Sequence, residues 1–121
     1  MASAFRNAVE AGDVDAMAAA LDPEVKFRSP IVFQTYEGRD AVMHLLRAVA
    51  EVFEDFRYVD ELHGEDTTAL VFQARVGDRE LEGIDHLRQG PDGLVTELMV
   101  MVRPYSAATA LRDAMGAKLA V

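Results

Sequence analysis

The second half of the chain constrains its fold most, because three segments of strand period follow one another there with only turn residues between them. In 69–76 the apolar positions Leu70, Phe72, Ala74 and Val76 alternate, and in 80–88 one face reads Leu81, Gly83, Asp85 and Leu87. In 94–102, Leu98, Val100 and Val102 point one way and Val95, Met99 and Met101 the other. Period-two alternation marks half-buried strands. Gly64-Glu65-Asp66, Gly77-Asp78 and Gly90-Pro91-Asp92-Gly93 supply the turns, so an antiparallel meander is expected from Tyr58 onward. Its third segment is apolar on both faces. Helices can cover one face only, so a second copy of the chain is the economical cover for the other, and a homodimer through the outer sheet face is expected.

The first half supplies the helices. Ser3 caps one that carries Phe5, Ala8 and Val9 on one face; Gly12 breaks it and Asp13 restarts it. Val14, Met17 and Leu21 then keep helical spacing as far as Asp22-Pro23, where proline disfavours helix at the residue before it. Val25 and Phe27 alternate with Lys26 and Arg28 in a short strand over 24–29, and 31–36 is an apolar connection without clear period. After Gly38 a longer helix presents Val42, Leu45, Leu46, Val49, Val52 and Phe53 on its apolar face, and Ser106 caps a peripheral last helix with Leu111, Met115 and Leu119. The 121 residues suffice for one domain over 1–121, of the α+β class.

Composition removes several functions. With 12 basic against 21 acidic residues the net charge is −9, which disfavours nucleic acid and anionic membrane surfaces as partners. The absence of cysteine excludes disulfides and thiolate chemistry. No apolar run approaches a membrane span, and the N-terminus lacks the pattern of a secretion signal, so a cytoplasmic location is expected. Metal-binding histidine pairs, phosphate-cradling glycine loops and a nucleophile-elbow serine are all missing, so neither metal nor cofactor is expected. Glu51, Glu54, Asp55, Asp60 and Glu61 read as a solvated acidic surface, His44 and His63 as solvated, and His86 as a surface or interface residue.

Asp85 breaks the pattern, because it keeps register with Leu81 and Leu87 and not with Glu80, Glu82, His86 and Arg88. A carboxylate facing an apolar interior loses hydration, which raises its pKa and leaves it either a base of useful strength or a neutral hydrogen-bond donor. The alternative is a structural aspartate, wetted through a change of register or bonded to backbone amides or an internal arginine.

The segments AGDVDAMAAAL, SPIVFQTYEGRDAV and GIDHLRQGPDGLVTELMVMVRP, in this order, resemble the nuclear transport factor 2-like superfamily, above all its SnoaL-like branch and ketosteroid isomerase, over nearly the whole chain. The resemblance implies a cone-shaped cystatin-like fold. Three N-terminal and central helices would pack on a strongly curved, mainly antiparallel sheet around an apolar cavity, with a short C-terminal helix and dimers that bury the outer sheet face. The isomerase scheme combines an aspartate base with an oxyanion hole of a tyrosine and a protonated aspartate. Asp85, in Ile84-Asp85-His86, resembles the hole aspartate, whereas Phe5 stands at the tyrosine position and Ser29 at the base position. Phenyl cannot donate a hydrogen bond and serine is no base near neutral pH, so the family route to ketosteroid isomerisation lacks two of its groups.

The cavity expected from the resemblance is lined by Phe5, Val9, Leu45, Phe72, Val100 and Val102, with Asp85 and Ser29 as its polar groups, and suits a small apolar ligand bearing a carbonyl or hydroxyl. SnoaL-like polyketide cyclases work with a pocket aspartate and no cofactor. Two functions fit: a cofactor-free isomerase, cyclase or dehydratase acting through Asp85, and a non-catalytic dimeric binding or assembly module on the same fold.

Overall fold

The structure, a computed structural model, describes residues 3–119. Ser3 accepts a hydrogen bond from the Arg6 amide to start α1 (Ala4–Ala11), and Gly12, in the left-handed region at φ 66°, closes it. Asp13 then caps α2 (Val14–Ala20) by accepting from the Ala16 amide. The helical spacing that extends to Leu21 ends one residue early, and β1 (Leu21–Arg28) runs straight through Asp22-Pro23. The extended conformation that proline imposes on its predecessor suits a strand as well as a stop. Arg39, at the start of α3 (Arg39–Val52), donates to the Leu21 carbonyl and ties the helix to this junction. Between them lies β2 (Thr35–Glu37), a short edge strand within the stretch that had no clear period.

β3 (Glu54–His63), β4 (Thr67–Val76), β5 (Arg79–Gln89) and β6 (Val95–Arg103) form the expected meander, and α4 (Tyr105–Leu119) follows. The six strands make one sheet in the order β2-β1-β6-β5-β4-β3. Every pairing is antiparallel except β1 with β6, so the sheet is mixed, mainly antiparallel and open. Thr68, Leu70, Phe72, Ala74 and Val76 of β4 and Leu81, Gly83, Asp85 and Leu87 of β5 all point to the buried face, as their alternation requires.

Two irregularities shift residues from the faces that strict alternation assigns. Val95 joins the buried face and not the face of Met99 and Met101, because a bulge opposite Arg88 and Gln89 adds Thr96 to β6 and reverses the phase. In β3, Tyr58 pairs with Phe72 but Asp60 pairs with Val71, so Val59 is an extra residue. Beyond it Glu61, opposite the buried Leu70, faces inward. Met99 is half-buried and Met101 remains 55% exposed in the single chain.

Gly83 sits opposite Phe72, and a Cβ there would lie 2.3 Å from the Phe72 ring and 2.6 Å from the Met101 carbonyl oxygen. The missing side chain is the space that the ring fills, and Phe56 stacks on that ring at 5.0 Å. Gly83→Ala is expected to destabilise the protein by about 2 kcal/mol or more through overpacking, measured as a lower urea midpoint with unchanged slope.

Candidate active site

The inner face of the sheet and the helices leave a cavity of about 490 Å³ that is predominantly apolar. α1 contributes Phe5 and Val9, α3 contributes Leu45, Leu46 and Val49, and the loop after β1 contributes Ser29, Pro30, Ile31 and Val32. Leu98 and Val100 of β6 and Phe56, Tyr58 and Asp85 complete the sheet side. The last helix is not peripheral: Leu111, Arg112, Met115 and Leu119 of α4 line the cavity, and Leu111 is buried. Its apolar spacing matched a covering helix from the start, but nothing local to that segment identifies the surface it covers.

Phe5, Val9, Ser29, Leu45, Val100 and Asp85 therefore come together around one space, and two residues expected with them do not. Phe72 is 1% exposed and lies one layer deeper, under Phe53 and Phe56, which take its place at the wall. Val102, two residues past Val100 on β6, is half-buried beyond the end of the cavity. Ser29 reaches the cavity, but its hydroxyl oxygen accepts from the amides of Ile31 and Val32, a turn-forming role.

Asp85 is held in the middle of β5, between Leu70 of β4 and Val100 of β6, and is only 9% exposed. Tyr58 donates its hydroxyl to Asp85 Oδ2 at 2.8 Å. Asp85 Oδ1 takes no hydrogen bond from any described residue and is not sealed off, so it is the oxygen open to the cavity. Among the described residues Asp85 is the one carboxylate on the cavity wall. No three His, Asp or Glu side chains among the described residues cluster as metal ligands.

Tyr58 is the partner that the sequence reading overlooked. The phenol expected on α1 is Phe5, and a hydroxyl arrives instead from β3. Its signal was the alternation of Phe56 and Tyr58 on the inner face, since a buried tyrosine needs a partner for its hydroxyl. Glu61, grouped with the solvated acids, is mostly buried and bonds Arg6 at 2.8 Å and His63 at 2.6 Å, so His63 is engaged as well.

Loss of hydration pushes the Asp85 carboxyl up from its ordinary value near 3.8 to about 7, against the opposing pull of the Tyr58 hydrogen bond. Burial, and then the adjacent Asp85 charge, push the Tyr58 hydroxyl upward too, so it stays protonated and donates. Near neutral pH Asp85 is thus divided between carboxylate and acid. It can take a proton from a weak carbon acid or hold one for an oxygen, in a setting where a charge is little screened.

The open mixed sheet with its covering helices and enclosed aspartate defines an α+β protein of cystatin-like fold. Residues 2–98 match the SnoaL-like domain family, and the chain belongs to that family, within the nuclear transport factor 2-like superfamily. It is similar to a steroid delta-isomerase from Pseudomonas aeruginosa, with 39% identity over 96% of this chain and 86% of that one and a TM-score of 0.92. It is equally close in structure to an uncharacterised protein with a cystatin-like fold from Silicibacter pomeroyi DSS-3, at 35% identity, 98% and 84% coverage and a TM-score of 0.92. A SnoaL-like polyketide cyclase from Shewanella denitrificans OS-217, so described provisionally, shares the fold at 12% identity, 92% and 93% coverage and a TM-score of 0.69. No curated protein matches the chain. No helix among the described residues is long and apolar enough to cross a membrane.

The raised Asp85 pKa has a stability consequence. Because the folded value lies above the unfolded one, between about pH 4 and pH 7 the native chain keeps a proton that the unfolded chain has released. Stability therefore falls as pH rises through that window. Asp85→Asn is expected to be progressively more stable than the parent from pH 4 to pH 7, with a plateau above it. The gain is at most about 4 kcal/mol, read from urea midpoints. Tyr58→Phe, which removes the donor, should move the Asp85 midpoint above 7 in a carboxyl-carbon NMR titration.

Proposed function

We propose that the protein is a cofactor-independent enzyme that moves a proton next to a carbonyl group of a small, largely apolar substrate, with Asp85 as the acid–base group. The observation that carries this is a carboxylate that stands alone, among the described residues, on the wall of an apolar cavity, with one oxygen held by Tyr58 and the other open. In its ionised form Asp85 takes a proton from the carbon beside the carbonyl, leaving an enolate and a neutral carboxylic acid. Where the substrate carries a double bond next to that carbon, return of the proton at the far end of the resulting dienolate completes an isomerisation. Where it carries a second carbonyl, attack of the enolate on it closes a ring, and the alkoxide so formed takes the proton back from Asp85. Likeness to a steroid delta-isomerase supports this class of chemistry without naming the substrate. Ser29, already spent on its turn, has no part in the proton transfer.

The test needs no natural substrate. Cyclohexanone incubated in D2O is expected to gain deuterium at its α-carbons faster with the protein than with buffer, read by proton NMR. Asp85→Asn should cut the protein-dependent rate about 100-fold or more. A rate equal in the two proteins would remove Asp85 from the chemistry and favour the non-catalytic binding module.

We further propose that the protein is a homodimer through the outer sheet face. Val71, Ile84 and Met101 form one cross-strand row there, and Ala69, His86 and Met99 the next. Polar rows border this apolar strip on both sides. Arg57, Gln73, Glu82 and Arg103 are linked in series at 2.9, 3.2 and 2.6 Å on one side, and Arg88–Asp66 and Arg28–Glu97 lie on the other. A rim carrying both signs suits the self-matching of a two-fold interface. Sedimentation at micromolar concentration should give a dimer, and Met101→Lys a monomer that still melts cooperatively; a monomeric parent chain would contradict the dimer.

A further inference from the structure

The bulge at Val59 has a partner on the other side of the core. By turning Glu61 inward it sets that carboxylate against Arg6 of α1, whose Nη1 donates to Glu61 Oε1 at 2.8 Å, while Arg6 Nε lies 3.3 Å from Glu10 one helical turn on. So anchored, the Arg6 guanidinium lies over the Tyr58 ring, its Cζ 5.5 Å from the ring centroid. Phe56 meets the same ring edge-on at 5.0 Å. The ring whose hydroxyl reaches Asp85 is thus located by a cation and by a second aromatic ring.

We propose that Arg6 is a positioning residue for the site, acting through Tyr58: held by Glu61 and Glu10, it fixes the phenol over which it lies so that its hydroxyl stays aimed at Asp85 Oδ2. This rests on the assignment of Asp85 as the working group and adds to it the device that keeps the carboxylate's donor in place.

Two physical effects lead to the same result. A cation over the ring face attracts the ring's electron density and restrains rotation of the ring out of the contact. The same positive charge favours the phenolate form of Tyr58, against the burial and the Asp85 and Glu10 charges that together hold its pKa up, and a more acidic hydroxyl is a stronger donor. Arg6 has no comparable direct influence on Asp85, whose proton affinity is governed by its burial and by the Tyr58 hydrogen bond. The ionisable groups that face Arg6 are Glu10 from its own helix and Glu61 from β3, with His63 behind Glu61 and Asp85 behind Tyr58. Glu61 is held below the ordinary carboxylate range, chiefly by the Arg6 hydrogen bond, so this anchor is charged when the site is at work.

The experiment is a double-mutant cycle read on the Asp85 carboxyl carbon by NMR titration, with Tyr58 ring-flip rates measured on the same samples. Arg6→Met is expected to raise the Asp85 midpoint by about half a pH unit and to speed ring flipping. Arg6→Lys, which keeps the charge, should have a smaller effect. Glu61→Gln, which loosens the anchor but leaves Arg6 and Tyr58 intact, should shift the midpoint in the same direction as Arg6→Met. In a Tyr58→Phe background the Arg6→Met shift should fall to near zero. An equal shift in both backgrounds would mean that Arg6 acts on Asp85 directly through space, and no shift in either would mean that it does not act on the site; each overturns the proposal. Should Arg6→Met fail to fold, the Arg6→Lys and Glu61→Gln titrations decide by the same criterion. A parent protein whose Asp85 titrates near 4 would refute the acid–base role itself, and the comparison between the two backgrounds would still report separately on Arg6.

Discussion

The hydrogen bond from Tyr58 to Asp85 is the contact on which the remainder of the site depends. A carboxylate taken out of water needs a donor or a proton, and among the described residues it has a donor on one oxygen only. Further donors would favour the anion and lower its pKa, and loss of the one it has would favour the acid and raise it. One donor in an apolar enclosure leaves the group near 7, between the two states. Tyr58 and Asp85 share the inner face because β3 and β5 both pair with β4, Tyr58 opposite Phe72 and Asp85 opposite Leu70.

Much of this architecture can be read from residue order. The alternation in 67–89 assigns β4 and β5 to their faces and sets Asp85 inward with no knowledge of the tertiary fold, because a period of two leaves only one alternative register. The bulges cannot be read this way. Thr96 and Val59 are ordinary strand residues, and each acts as an insertion only because its neighbour strand pairs with the residues on either side. One of them moves Val95 into the core, and the other turns Glu61 from the solvated acidic set into a half-buried ion pair with Arg6.

The site was legible in part for the same reason. Asp85 stands out within its own strand, whereas Tyr58 becomes significant only when β3 is paired through β4 to β5. Matching position by position suggests a gap at Phe5, but the hydroxyl that reaches Asp85 comes from Tyr58 on β3. Phe72 is large, apolar and inward, as a wall residue should be, but Phe53 at the end of α3 and Phe56 on β3 cover it. The apolar stripe of α4 is visible, but the surface it covers is made jointly by α3 and the central strands and is set only when these are assembled.

The pairing of β1 with β6 carries a consequence for how the molecule comes into being. The single parallel pairing joins residues near position 25 to residues near position 97, so the enclosure has no wall on that side until synthesis has passed β6. On the ribosome the greasy lining from the early helices must wait, uncovered, for its last strand and the helix behind it. Such late closure of a distant contact slows folding and lengthens exposure to aggregation and to chaperones. The chamber that would hold a ligand is therefore closed only after β6 and α4 have joined the early helices.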